Sequence, residues 1–269
     1  MRSAPDRAGL FDTIGRAGLP RAMRRVLLPL VAVVLLMAFW QVGVRVAQIP
    51  PYILPPPSDI FVSLASDLSS SSMWWDLLVT TEETVLGFGA GAVMGLLLGL
   101  LLAEFPLIDD AIYPLVVAFQ AMPKVAVAPL LLIWFGFGIS SKVAIAGLLA
   151  FFPLLVNTVL GLHSGDPQQE ELMHALAAKR WQLFRMVRLY NALPSIFAGL
   201  ELAMVLSVIG AIVGQFVGAR AGLGYMIQQR NADTDVPGIF AALLILGALG
   251  AILTYVVKLV ARRVVFWRR

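Results

Sequence analysis

Few residues of this chain could do covalent chemistry. Its 269 residues include Cys 0 and His 2, so a thiolate nucleophile, a cysteine zinc site and a disulfide framework are all excluded. His163 and His174 share no carboxylate spacing of the kind a metal site needs. No phosphate-binding loop, H-E-x-x-H helix or G-x-S-x-G elbow occurs. What remains is a set of isolated polar groups inside long apolar runs: Gln120, Lys124, Asn157, Glu201 and Gln215. Polar groups at membrane depth are costly and face a bundle interior or a watery cavity. The spacing predicts that Gln120 and Lys124 sit one helical turn apart, and all five are candidates to face a polar cavity between helices. For each one taken singly, structural hydrogen bonding or snorkelling to an interface is the favoured account.

The elements that carry these residues are membrane spans. Hydrophobic residues make up 59% of the chain, charged residues 13%, and the mean hydropathy is +0.87. A soluble core of this size could not enclose that much apolar surface. The net charge of +4 does not point to nucleic acid, because the basic residues are clustered. Arginines 2, 7, 16, 21, 24 and 25 precede the first apolar run, Lys179, Arg180, Arg185 and Arg188 share one short polar segment, and Lys258, Arg262, Arg263, Arg268 and Arg269 close the chain. None lies between Arg45 and Lys124. That is the distribution of a multi-pass membrane protein that keeps its positive charge, and both termini, on the cytoplasmic side.

Six spans are expected, roughly at 26–46, within 84–105, at 111–136 with interruptions at Pro123 and Pro129, at 142–162, at 193–217 and at 238–260. Each has about 20 apolar residues, enough for a hydrocarbon core of about 30 Å. The first run is too long for a signal peptide. Residues 1–25 form a basic tail or an amphipathic surface helix through Leu10, Phe11, Ile14 and Leu19, and residues 26–269 form the membrane domain. A proline-rich linker (Pro50, Pro51, Pro55, Pro56, Pro57) leads into a short helix expected to be capped by Ser58, on the outer face. Trp74 and Trp75 suit a membrane interface. Gly87, Gly91, Gly95 and Gly99 recur every fourth residue, a stripe that lets another backbone approach.

One polar segment, residues 163–192, stands apart. Asp166 reads as a helix N-cap, Pro167 fits the first helical position and Gln169 is placed to close a capping box. Leu172, Leu176, Leu183 and Phe184 then repeat at helical spacing. Pro194 is expected to end or kink the chain before the fifth span.

This segment resembles the cytoplasmic loop of permease subunits in bacterial ATP-binding-cassette importers, whose pattern runs roughly E-A-A-x-x-x-G-A-S-x-W-x-x-F-x-x-V-x-L-P-x-A-L-P-x-I-x-x-G-L. Glu171, Trp181, Phe184, Val187, Pro194, Gly199 and Leu200 match it, whereas Ala177, Lys179 and Tyr190 stand where the pattern has Gly, Ser and its first Pro. The strings Pro55–Ser58, Gln120–Lys124, Trp134–Gly138 and Gly222–Tyr225 are similar to the nitrate, sulfonate and taurine branch, which includes permeases for thiamine-precursor pyrimidines and riboflavin. The resemblance implies an all-α type I importer fold of about six transmembrane helices. It implies that Glu171, Leu172, Ala177, Arg180, Trp181 and Phe184 meet a separate cytoplasmic ATPase, which uses ATP and Mg, with Pro194 and Gly199 as the joint. A second permease copy, an extracellular or periplasmic binding protein and membrane lipid complete the implied partners. The chain itself would need no cofactor or metal and catalyse nothing. The implied substrate is a small sulfonate, a nitrate-like anion or a vitamin-precursor heterocycle. A self-sufficient secondary transporter or channel is the alternative, although no inverted repeat is evident.

Overall fold

The computed structural model describes residues 21–267. The amphipathic reading of the N-terminal tail, like Arg268 and Arg269, falls outside them. Regular structure among the described residues is helical. The order is α1 (Arg21–Val46), α2 (Pro57–Ser69), α3 (Ser71–Glu104), α4 (Pro106–Ala121), a 3-10 turn (Lys124–Val127), α5 (Ala128–Phe135), α6 (Ile139–His163) and α7 (Pro167–Ala175). Then come α8 (Arg180–Leu183), a π-turn (Phe184–Arg188), α9 (Leu189–Gly218), α10 (Leu223–Ala232) and α11 (Val236–Val264). Five helical stretches are long and apolar enough to cross a membrane, and α4 with the 3-10 turn and α5 makes a pair bent by 89° that counts as a sixth when taken as one broken span.

The centre of the bundle is α3, α6 and α9, held by small residues. The glycine stripe of α3 lies on α6. A Cβ added at Gly95 would sit 2.7 Å from the Phe151 carbonyl oxygen, and one at Gly99 would sit 2.7 Å from the Thr158 Cβ. On the other side of α6, a Cβ at Gly210 would sit 2.6 Å from the Ala146 Cα. Lipid offers no hydrophobic drive between helices, so this close backbone packing is what associates them. Ser207 Oγ donates to the Thr84 carbonyl at 2.8 Å and Ser195 Oγ to the Asn157 carbonyl at 3.0 Å, adding interhelical hydrogen bonds.

Three boundaries differ from expectation, each for a local reason. The second span begins at Ser71, not near Thr84. Asp76, Thr80, Glu83 and Thr84 lower the local hydropathy, yet all are buried against other helices. The third span breaks at Pro123 as expected. Met122 takes φ −70° and ψ 142°, the extended conformation that a following proline imposes. The short helix α2 starts at Pro57 with Pro56 as its N-cap, because proline suits the first helical position. Ser58 is therefore inside the helix, and its amide donates to Gln41 Oε1 of α1 at 3.0 Å. Lastly, Pro194 neither ends nor precedes the fifth span but lies within α9. The irregular backbone is upstream, in the π-turn, where the Leu189 amide reaches the Phe184 carbonyl.

Candidate translocation cavity and coupling segment

The broken span produces a cavity. The last carbonyls of a helix lack intrahelical donors, and Lys124 Nζ reaches back to the Gln120 carbonyl at 2.9 Å. The same ammonium lies 4.9 Å from the centroid of the Phe152 ring, a cation–π arrangement. Gln120, Lys124, Phe152, Pro153, Asn157 and Leu202 are among the residues lining a cavity of about 270 Å³. Asn157 Nδ2 donates to the Pro153 carbonyl at 2.8 Å. Pro153, inside α6, has no amide for the Leu149 carbonyl, and Leu149 also lines this space, where an unpaired carbonyl is tolerable.

Three of the five polar residues selected from sequence thus share one cavity, although Gln120 and Lys124 are not on one continuous helix. Glu201 is elsewhere: its Oε2 lies 3.7 Å from Lys258 Nζ of α11. Gln215 is buried in a second polar cluster at the opposite end of α9 from α7. Its Nε2 donates to Glu83 Oε2 at 2.6 Å and to Thr80 Oγ1 at 3.0 Å, and its Oε1 accepts the Gly224 amide at 2.7 Å. Asp76 Oδ1 accepts the Gly222 amide at 2.6 Å, and Thr80 Oγ1 accepts the Leu223 amide at 2.8 Å. Three successive amides are thereby clamped by side chains of α3 and α9. Gly222 has φ +108°, a conformation open to glycine. Nearby, Lys142 is 2% exposed and its Nζ donates to the Phe137 carbonyl at 2.6 Å and the Gly218 carbonyl at 2.8 Å. Sequence reading missed Asp76, Thr80, Glu83 and Lys142. The available signal was that positions 76, 80, 83 and 87 share one face of α3, in line with the glycine stripe.

In the segment 163–192, Asp166 caps α7 by accepting the Gln168 amide at 3.0 Å. Gln169 does not close the expected box, because its Oε1 accepts from Asn191 Nδ2 at 2.9 Å. The helix stops at Ala175. The Ala178 amide bonds the Met173 carbonyl at 3.0 Å and the Ala177 amide bonds that of His174 at 2.9 Å, which is a Schellman turn. Ala177 is its left-handed residue, with φ 53°. The position where the importer pattern has glycine therefore keeps a glycine conformation without one. Ala177→Gly should stabilise this turn by about 0.5–1 kcal/mol, the cost of a left-handed alanine less the entropy glycine loses. Slower hydrogen exchange at residues 177 and 178 would register it, and faster exchange would contradict it.

Because of that turn, Glu171 to Trp181 is not one helix. Leu172, Leu176 and Trp181 are 60%, 69% and 66% exposed, whereas Leu183 is buried and Phe184 half-buried. Trp181 stacks on Phe184 with centroids 5.8 Å apart. Glu171 and Arg180 are exposed beside them. Gly199 lies in unbroken helix, where an added Cβ would sit 2.7 Å from the Asn157 Cβ, so it permits close packing of α9 on α6. Glu170 accepts from both Nε and Nη2 of Arg188 at 2.9 and 3.1 Å. Those hydrogen bonds hold the Glu170 carboxyl below the usual glutamate range, against a smaller opposing push from burial. The pair is therefore complete above that range and weakens as pH falls through the lowered value.

Five long apolar helices with a further bent pair, and a largely apolar cavity with a few polar groups at the broken helix, are the features of a multi-pass membrane protein. Residues 91–266 match the family of binding-protein-dependent transport system inner membrane components, and the chain belongs to that family: it is an inner-membrane permease of an ATP-binding-cassette importer. It is 39% identical to the formylaminopyrimidine transport permease of Halalkalibacterium halodurans, over 90% of this chain and 96% of that one. It is 38% identical to the riboflavin transport system permease of Chloroflexus aurantiacus, over 88% of each. It is 30% identical to the putative aliphatic sulfonates transport permease of Bacillus subtilis, over 91% of this chain and 88% of that one. Its fold is similar to that of a methionine ABC transporter in an inward-facing conformation, with a TM-score of 0.63 and 21% identity over 73% of this chain and 99% of that one.

Proposed function

We propose that this permease lines the pathway for a small planar heterocycle, with a binding protein delivering substrate outside and a separate ATPase driving transport from the cytoplasm. Both termini and α7 are cytoplasmic in this reading, while α2 and α10 face outward. The arginine-rich N-terminal stretch and the basic residues of the α7–α8 hairpin support that orientation. Leu172, Leu176 and Trp181 form the apolar part of the ATPase docking face, edged by Glu171 and Arg180. A second permease copy closes the pathway across from the cavity of Gln120, Lys124 and Asn157.

The observation that carries the substrate class is the cavity. Its walls are aliphatic apart from Phe152, and a few polar groups converge on it. Such a lining suits a flat, largely neutral ligand held by one ring and a few hydrogen bonds. The two permeases with the higher identities quoted above carry names of heterocycle transporters. Lys124 gives the second reading, a sulfonate or nitrate-like anion, because an unpaired ammonium would attract one. Here that ammonium already lies on the Phe152 ring and the Gln120 carbonyl.

Proteoliposomes holding the permease, its copurifying ATPase and its binding protein should take up riboflavin or formylaminopyrimidine when ATP is supplied, and not taurine. ATP-dependent uptake of taurine alone would overturn the heterocycle assignment, and uptake indifferent to ATP would overturn the mechanism. Lys124→Met should slow uptake at unchanged assembly. Wild-type kinetics in that variant would remove Lys124 from the pathway.

A further inference from the structure

The segment α7 is bound more firmly to the chain that follows it than to the helix that precedes it. It connects to α6 through Ser164, Gly165 and Asp166, where Ser164 bonds only back onto the Gly161 carbonyl of α6. On its other side it is tied twice. Glu170 and Arg188 form a bidentate ion pair across 18 residues of sequence, and Gln169 pairs with Asn191 across 22. A lone exposed ion pair contributes little. This one has two parallel hydrogen bonds, and its side chains are only 26% and 33% exposed, which favours a defined geometry.

The strap closes on the π-turn, of which Arg188 is the last residue. From there α9 runs as one helix to Gly218 and presents Gln215 at its far end. Gln215 is the side chain that holds the Gly224 amide and meets Thr80 and Glu83 of α3. A single rigid element therefore joins the strapped segment to the clamp on the far side of the bundle.

We propose that Glu170 and Arg188 are positioning residues for coupling: their strap makes α7 and α9 one body, so that a displacement of α7 travels along α9, with α6 packed on it, to the Gln215 clamp. This rests on the ATPase-driven reading above. Neither residue acts on substrate. A two-state displacement with identified contacts at both ends is what such coupling requires physically.

The chain's lack of cysteine makes a single reporter specific. In the reconstituted complex, Leu223→Cys places a thiol at a position that is 0% exposed in the closed clamp. An impermeant maleimide outside the vesicle should label it when ATP is cycling and not otherwise. Glu170→Gln, which keeps the side chain's size, and Arg188→Met should leave ATPase assembly and ATP hydrolysis in place. Each should lower substrate uptake per ATP by about tenfold and abolish the ATP-dependent labelling. The exchanged pair, Glu170→Arg with Arg188→Glu, should restore both readouts. Unchanged uptake per ATP and labelling in the single variants would overturn the strap, and so would an exchanged pair that restores neither. If the unsubstituted complex assembles with no ATPase at all, the importer mechanism fails first and the strap fails with it.

Discussion

Lys142→Met should destabilise the protein by about 2–4 kcal/mol, because two buried carbonyls lose their donor. The ammonium is buried at 2% exposure and is the donor to two carbonyls, those of Phe137 and Gly218. One precedes α6 and the other ends α9, so the side chain pins both helix ends to each other. Methionine fills similar space but leaves both carbonyls without a donor. Thermal unfolding in detergent should fall by about 10 °C. A melting temperature equal to that of the natural chain would show that water or lipid headgroups replace the ammonium.

Trp181→Ala should weaken binding of the ATPase by about 30-fold or more, the effect of removing an aromatic anchor worth about 2 kcal/mol. Trp181 is 66% exposed and touches its own chain chiefly by stacking on Phe184. Its loss should therefore leave the fold of the permease intact. Phe184 is a poorer probe, since it packs against the cluster containing Leu162, Ala192 and Ile196, and a charge there would disturb packing as well as docking. Titration of purified ATPase against permease in detergent separates these effects. Unchanged affinity with Trp181→Ala would remove this face from the docking site.

Much of this architecture was legible in the residues. Apolar runs of sufficient length gave the crossings, because backbone in lipid must satisfy its own hydrogen bonds and so forms helix. The glycine stripe foretold a close helix contact, and α6 meets it. Asp166 capped α7 as its type and position required. The chain resembles the importer pattern at Glu171, Trp181, Phe184, Pro194 and Gly199, but the turn at Ala177 gives no signal, since alanine does not mark a left-handed residue.

What the sequence determined by itself was therefore local and periodic: which stretches are helical, which face of α3 is small, where a helix starts. The tertiary structure decided the partners. Gln215 and Lys124 look alike along the chain, each a polar residue in an apolar run. Only packing sends Gln215 to Thr80, Glu83 and Gly224, and Lys124 to the Phe152 ring and a cavity. The start of α3 was misplaced for the same reason: hydropathy treats Asp76, Thr80 and Glu83 as surface, whereas amides and side chains from more than 100 residues away satisfy them. A buried polar group is stable only through such a partner, and the partner's position is fixed by how α3, α6 and α9 pack together, which no window along the chain contains.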